Sequence, residues 1–596
     1  GVGVPYSEIG LMAGISRTDW SWSPLFADVD NDGAKDLLIT NGFPRDITDL
    51  DFGEFNFNVQ RFLSPSQILD SIPVVKTPNY AYKNTNDGLF TDAGDKWGLN
   101  IPSFSNGAAF VDLDGDGDLD YVVNNINEEA FIFKNNLDLR DTKNHNYLTV
   151  KLKGSKTNAS GIGAKIVIRF DDGTFQYQEH YLTRGYMSSV EDITHFGLGN
   201  RETIISLEVI WPDGKYQKLE NIQGNTNVEV NHNNAKTIDA NNLTFPLVQK
   251  ETPTIFNEVS KNIGIDYIHQ EKDKVDYNVQ RILPHKLTQN GPCLATGDLN
   301  GDGFEDFIVG SSSGYSPIVF SQSKDGSFTN IELFSDEKNM NYEEEGIALF
   351  DLENDGDLDI YLVSGSNEFE KESPFYADRL LINDGEGNFT IATDKMPEIK
   401  SSGSVVSTHD FDGDGYTDLF VGGRTPFAEY PKPAKSFLLK NEAGILKDVT
   451  NEYSPELQNL GMLTDAVWAD LDKDGLKDLV ITGEFMPITV FKNKKSSLEK
   501  LANTGLDSLS GWWESIVAHD YDKDGDLDLV AGNLGTNNIY QPSKDRPVTL
   551  LSKDFDNNGT VDPVMFAYIK ENYEDKTYKP FPVNFWGDLS AQSPLF

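Results

Sequence analysis

Residues 111–123 read VDLDGDGDLDYVV, with aspartates at Asp112, Asp114, Asp116, Asp118 and Asp120 and a β-branched run behind them. The chain of 596 residues already carries a formal charge of −45. Carboxylates packed this densely repel one another unless a cation lies among them. The pattern recurs as DVDNDGAKD from Asp28, DLNGDGFED from Asp298, DLENDGDLD from Asp351, DFDGDGYTD from Asp410, DLDKDGLKD from Asp470, DYDKDGDLD from Asp520 and DFDNNGTVD from Asp554, eight copies in all.

Position 1 of the nine is held by Asp28, Asp112, Asp298, Asp351, Asp410, Asp470, Asp520 and Asp554. Position 3 is Asp30, Asp114, Asn300, Glu353, Asp412, Asp472, Asp522 or Asp556, and position 5 is Asp32, Asp116, Asp302, Asp355, Asp414, Asp474, Asp524 or Asn558. Position 9 is Asp36, Asp120, Asp306, Asp359, Asp418, Asp478, Asp528 or Asp562. With a backbone carbonyl from position 7 (Ala34, Asp118, Phe304, Asp357, Tyr416, Leu476, Asp526, Thr560) and glycine at position 6 for the turn, each copy surrounds a hard cation with oxygen. Calcium is the expected ion, up to eight of them in a structural role, because it accepts six to eight oxygens in flexible geometry. Glu353 and Asn558 mark two weaker sites. An EF-hand begins with the same spacing but needs a bidentate glutamate at position 12. Here that position is Ile39, Val123, Val309, Leu362, Val421, Ile481, Ala531 and Met565, so the aspartate at position 9 takes over. Eight divalent ions would offset about a third of the net charge.

The flanks of the loops are short apolar runs such as GIALF, DAVWA, DLFVGG and DLVITGE, which are strand compositions too short for helices. From Asp298 onward the starts advance by 53, 59, 60, 50 and 34 residues, a period that suits four short strands, hence propeller blades. Cys293 is the single cysteine, which excludes a disulfide framework and a multi-cysteine zinc site and leaves it as a small packed residue. The acidic balance argues against nucleic acid, and no apolar run is long enough for a membrane span. Both ends look cut from a longer protein.

Segments 296–311 (TGDLNGDGFEDFIVGS) and 408–423 (THDFDGDGYTDLFVGG) resemble FG-GAP or VCBS repeats, the calcium-binding blades of propellers. Between the second and third loops lie 186 residues, too many for one blade. There, Asn158, Gly161, Gly163, Ala164, the run HFGLG from His195 and WPDG from Trp211 resemble the ASPIC/UnbV domain. The resemblance implies an all-β chain of calcium-binding β-propeller blades from two propellers, both incomplete, flanking a small β-sandwich: residues 1–137 from a first propeller, 138–232 the sandwich, 233–253 a linker and 254–596 a second propeller. The combination is similar to the cartilage acidic protein family, in particular to long members from Bacteroidota. That family implies a surface location, as a lipoprotein whose anchor lies outside this chain. It also implies a protein partner in an outer-membrane nutrient-uptake complex with a TonB-dependent transporter, and polysaccharide as a further ligand.

Catalytic signatures are scarce. GSSSG at residues 310–314 matches G-x-S-x-G only formally, since a strand follows instead of a helix. His195, His409 and His519 read as structural histidines. Glu343, Glu344 and Glu345, and the cluster of Asp46, Asp49 and Asp51, read as solvated faces or loops. Trp20, Trp22, Trp512 and Trp513 precede loop-bearing strands and read as core, with glycan stacking or protein contact as the functional alternative. The expectation is a non-enzymatic, calcium-stabilised surface binding or scaffold protein. The alternative is a calcium-dependent polysaccharide lyase or glycosidase on the same scaffold.

Overall fold

The computed structural model describes residues 7–137, 144–237, 256–335, 340–535, 538, 540, 542–555, 557–570 and 577–583. The chain divides into two compact units, Gly1–Pro253 and Thr254–Phe596. Strands dominate both.

Each acidic loop is the turn between two successive antiparallel strands, because the apolar strands on either side are drawn into the core and the charged nonapeptide cannot enter it. In the second unit the sheet Glu344–Phe350, Asp359–Ser364, Arg379–Asn383 and Phe389–Ile391 is representative: it runs in chain order, and Phe350 pairs with Asp359 directly across the loop. Its second strand is buried at all six positions, as expected of a sheet packed on both faces. Four-stranded sheets also begin at Leu294 and Gly403, and the four strands that begin at Met462 are part of a six-stranded sheet. The sheet starting at Met462 continues: strand Asp478–Pro487 also pairs with Ser510–His519, with Glu484 opposite Trp512. Leu419, Val421, Tyr361 and Val363, from two successive sheets, share one apolar cluster. Successive sheets are thus joined face to face, the stacking of propeller-like blades. Among the described residues no sheet closes on itself. The sheets at residues 105–133 and 549–582 have three strands there rather than the expected four.

In the first unit, two such sheets are followed by two of another kind. Asn146–Lys153 lies between antiparallel Thr194–Gly199 and parallel Thr226–Asn231, and a five-stranded sheet is built around Lys165–Arg169 and Thr203–Ile210. Leu148, Val150 and Phe196 of the first face Ile166, Ile168, Leu207 and Val209 of the second in a dry core with Trp211, all at most 2% exposed. This is a β-sandwich, and burial of each such side chain contributes about 1.5–3 kcal/mol. Asn158 closes the turn before the second sheet by pairing both amide atoms with the backbone of Ile162 (2.9 and 3.0 Å). A side chain on Gly161 would press within 3.0 Å of Leu152 and Trp211.

Two helices, Leu50–Val59 and Pro65–Asp70, interrupt the first sheet between its second and third strands. They have no counterpart in the all-β expectation. Asp49, read above as a solvated loop residue, caps the first by accepting the Phe52 N–H at 2.7 Å. Asp51's side chain lies outside the described residues, as does most of the linker 233–253.

Candidate metal centres

The eight loops share one backbone. Position 6 glycines hold φ between +83° and +99°, and position 4 is left-handed in every copy, at +56° to +77°. Position 4 is therefore Asn31, Gly115, Gly301, Asn354, Gly413, Lys473, Lys523 or Asn557, mostly residues that tolerate this region. The position 1 aspartate accepts the position 6 N–H at 2.8–3.1 Å throughout. One carboxylate thus curls the loop, and the next ones are brought round to face it.

Three carboxylate oxygens come within 4.8 Å of one another in five loops. At Asp28, Asp30 and Asp32, and at Asp470, Asp472 and Asp474, the third partner is position 5. At Asp112, Asp114 and Asp120, Asp410, Asp412 and Asp418, and Asp520, Asp522 and Asp528, it is position 9. The loops starting at Asp298, Asp351 and Asp554 show no such convergence among the described residues. They carry Asn300, Glu353 and Asn558 at positions 3 or 5, and Lys395 draws Glu353 into an ion pair. Asp556 lies outside the described residues. The donor set fits a hard cation: all ligands are oxygen, and Asp30 Oδ1 is buried without a hydrogen-bond partner.

Position 9 has a second task. Asp36, Asp306, Asp359, Asp418 and Asp478 are at most 1% exposed. All but Asp478 are held by two backbone N–H groups, as at Asp418, from Phe411 (3.0 Å) at position 2 and from Asn441 (2.8 Å) on the third strand, while Asp478 accepts the third-strand N–H of Asn493 (2.9 Å). Burial pushes Asp418 up to about 7, and those two N–H groups restrain the rise. Burial likewise pushes Asp36 to about 7 and Asp28 well above the usual carboxylate range, the latter aided by the charges of Asp32 and Asp30. A cation in the loop reverses the sign of that field.

Two residue types invisible in the loop motif complete it. The third strand ends in Lys-Asn at Lys83-Asn84, Lys440-Asn441 and Lys492-Asn493, and Lys134-Asn135 directly follows the strand Phe131–Phe133. The lysine reaches back to positions 3 and 5: Lys83 pairs with Asp30 and Asp32, Lys440 with Asp412 and Asp414, and Lys492 with Asp472 and Asp474. Desolvation works against the Lys440 ammonium, but the bonds from Asp412 and Asp414 win and its pKa rises. The asparagine side chain reaches the preceding blade. Asn135 Nδ2 donates to Val29 O (2.7 Å), Asn383 to Leu299 O (2.8 Å), Asn441 to Leu352 O (2.9 Å) and Asn493 to Phe411 O (2.9 Å), each acceptor being position 2 of the previous loop. The recurring Lys-Asn at the end of an apolar run was the available signal.

The first loop is also bonded to the sandwich. Asn31 at position 4 donates to Gly117 O (3.0 Å) of the next loop, and its amide oxygen takes the His195 Nε2–H (2.7 Å). Its carbonyl accepts the Gly199 N–H at 2.8 Å. His195 is a structural histidine here, and burial lowers it to about 4.

At the strand ends opposite the loops, the second unit holds an ionic network. Glu343 and Glu344 are 2% and 1% exposed, so the acidic run is not the solvated face expected of it. Glu344 pairs with Arg379 and accepts the Ser311 N–H and hydroxyl, both at 2.8 Å. Glu484, equally buried, takes Arg424, His285 (3.1 Å) and the Tyr430 hydroxyl (2.9 Å). These partners are 35 or more residues apart in sequence, which is why three consecutive acids misled. Ser312 of GSSSG donates to Gln270 O (2.5 Å), and the Cys293 thiol donates to Glu344 O (3.1 Å). The tryptophans are half-buried. Trp22 lies 4.8 Å from Tyr186 and donates to Gly42 O, Trp20 stacks on Phe43, Trp513 donates to Leu509 O, and Trp512 packs on His285 and Phe485.

Residues 154–237 match the family model described as ASPIC and UnbV, and residues 72–123, 298–362 and 470–531 match that of the FG-GAP-like repeat. Both resemblances read from the sequence therefore stand. Cartilage acidic protein 1 of Xenopus tropicalis is 35% identical over 112 residues, 18% of this chain and 16% of that protein. The Homo sapiens protein of the same name is 32% identical over the same length. The chain thus spans about a sixth of the length of the curated relatives it matches. Among solved structures, the exotype rhamnogalacturonan lyase YesX is 12% identical, with 80% of this chain and 72% of that one covered and a TM-score of 0.27, a likeness too loose to carry an argument.

Proposed function

We propose that this chain is a non-enzymatic binding or scaffold protein of the cell surface whose blades are stapled by calcium in the D-x-D loops. The observation that carries the reading is the convergence of three carboxylate oxygens in five loops of common backbone. The FG-GAP-like and ASPIC/UnbV matches support a repeat-based extracellular binding protein, and neither family is known as catalytic. Positions 1, 3, 5 and 9 and the position 7 carbonyl supply the ligands. The third-strand lysine balances charge at positions 3 and 5. The outer-membrane location with a lipid anchor outside this chain, and a partner in a TonB-dependent uptake complex or a polysaccharide, belong to the same proposal.

Calcium at a hundredfold excess over its Kd stabilises by about 2.7 kcal/mol per site. Thermal melts in calcium and in chelator are expected to differ by many degrees; an unchanged melt overturns the calcium staple. Pull-down from detergent-solubilised outer membranes tests the partner. Calcium-dependent turnover of a pectic or algal polysaccharide overturns the non-enzymatic reading.

A further inference from the structure

The sheet Ser105–Val111, Asp120–Asn125 and Phe131–Phe133 stops at three strands, and among the described residues no strand pairs with the outer side of Phe131–Phe133. Elsewhere the third strands Tyr80–Asn84, Ile318–Gln322, Arg379–Asn383, Phe437–Asn441 and Thr489–Asn493 all carry a fourth. That fourth strand begins with Phe90, Phe328, Phe389, Leu446 or Leu498, always opposite the last residue of the third. The chain just beyond it donates an N–H back to Ala81 O (2.8 Å), Leu380 O (2.9 Å), Leu438 O (3.0 Å) or Val490 O (2.9 Å). Those acceptors pair across with position 11 of their loops, as Ile132 does with Val122. By that register Ile132 turns its N–H and C=O to the open side.

The space behind the missing strand is open as well. Phe389 packs in one cluster with Leu299, Ile308, Ile360 and Leu381. The residues at the same positions in the three-stranded sheet and its predecessor are Val29, Leu38, Tyr121 and Phe133, and they line a cavity of about 90 Å³ together with Trp97 and Asn135. Leu137, two residues past Asn135, covers one side and leaves that volume. An apolar cavity of roughly 150 Å³ takes benzene, and sites for larger organic ligands run to roughly 300 Å³ or more. The size therefore suits one aliphatic side chain such as leucine, the residue seated at 2% exposure in Leu446 and Leu498. One wall is polar where the other blades are not: Tyr121, 4% exposed, stands where they have Ile360, Leu419 and Leu479. Its hydroxyl is buried without a hydrogen-bond partner, a costly state that a carbonyl of an incoming strand relieves.

We infer that this edge and cavity receive an extended segment of a partner protein, which adds the fourth strand to Phe131–Phe133 and seats a leucine beside Tyr121. The inference rests on the binding-protein reading above and gives the partner a chemistry. Lys134 is 57% exposed, and its counterpart Lys492 stands opposite Glu499, so the segment carries leucine followed by an acidic residue, the pattern of Leu498-Glu499.

The probe is a fluorescein-labelled peptide, SSLEKLA, the sequence of residues 496–502, titrated in calcium against the whole chain and followed by anisotropy. Saturable binding with a Kd below about 1 mM is expected, weakened at least about tenfold when aspartate replaces the peptide's first leucine. Ile132→Pro removes an N–H that faces the open edge, where proline is tolerated, and Val29→Phe fills the cavity with the side chain that Phe411 already carries at position 2 of another loop. Either substitution is expected to weaken binding by the same factor with an unchanged circular dichroism spectrum; should one variant misfold, the other and the aspartate peptide decide. No binding to the wild type overturns the inference, as does binding that survives the substitutions or the aspartate peptide. A wild-type dimer in light scattering that Ile132→Pro breaks gives the seat to a second copy and overturns the partner. A chain whose melt responds to calcium but which ignores the peptide loses this inference alone.

Discussion

Asn441→Ala isolates the clasp between blades. The side chain is fully buried. Its Nδ2 donates to Leu352 O at 2.9 Å across 89 residues, and its Oδ1 accepts the Gly444 N–H at 2.9 Å. Alanine preserves the backbone N–H that holds Asp418, so the metal loop keeps its anchor and only the clasp is lost. Leu352 is itself fully buried, which leaves its carbonyl without a substitute partner. Each unmatched group costs about 1–3 kcal/mol, so the two together predict a loss of about 4 kcal/mol. Urea unfolding in saturating calcium, followed by tryptophan fluorescence, reads the midpoint, and Asn493→Ala, which releases Phe411 O, is expected to match it. Lys447→Ala, which removes an exposed pair with Glu442, is the control at less than about 1 kcal/mol. If both asparagine variants lose less than that control, the clasp is not what holds successive blades together.

Lys440→Met and Lys492→Met remove a positive charge beside a loop without touching a ligand. At an effective dielectric between protein and water this is worth about 1 kcal/mol, so calcium binds those loops roughly fivefold tighter by calorimetry; unchanged or weaker binding shows that the lysines position the carboxylates instead of balancing them. His195, held near 4 when folded and near 6.5 when unfolded, takes up its proton first in the unfolded chain. Its contribution is full above pH ~6.5 and declines as pH falls towards 4, by about 3 kcal/mol. The wild type should therefore lose more stability than His195→Gln between pH 7 and 4.5, and parallel curves refute this. Glu344→Gln removes the anion facing buried Arg379 and is expected to cost about 3–5 kcal/mol, read as a shift in denaturation midpoint; a loss below 1 kcal/mol means the pair is dispensable.

What the sequence revealed was whatever repeats at fixed local spacing. Asp112 to Asp120 lie within one turn of chain, so their chemistry and their neighbourhood coincide, and the flanking runs show that strands enter and leave. The left-handed position 4 was equally local: Asn31, Gly413 and Lys473 share no side-chain chemistry, only a backbone conformation. The clasps were harder, because Asn441 and Leu352 are joined by a blade of variable length. Glu343 to Glu345 were misread for the same reason, since consecutive acids look solvated until Arg379 and Arg424 arrive from distant strands. The helix Pro65–Asp70 had a local sign, with Ser64 and Gln67 forming a capping box, hidden in a chain otherwise read at period two.

The asparagine clasps all point the same way. Asn135, Asn383, Asn441 and Asn493 each satisfy a carbonyl in the blade made before their own. No described clasp of this set reaches forward. The asparagines at position 4 run the other way, Asn31 donating to Gly117 O and Asn354 to Gly415 O of the following loop, so neighbouring blades are tied from both sides of the chain.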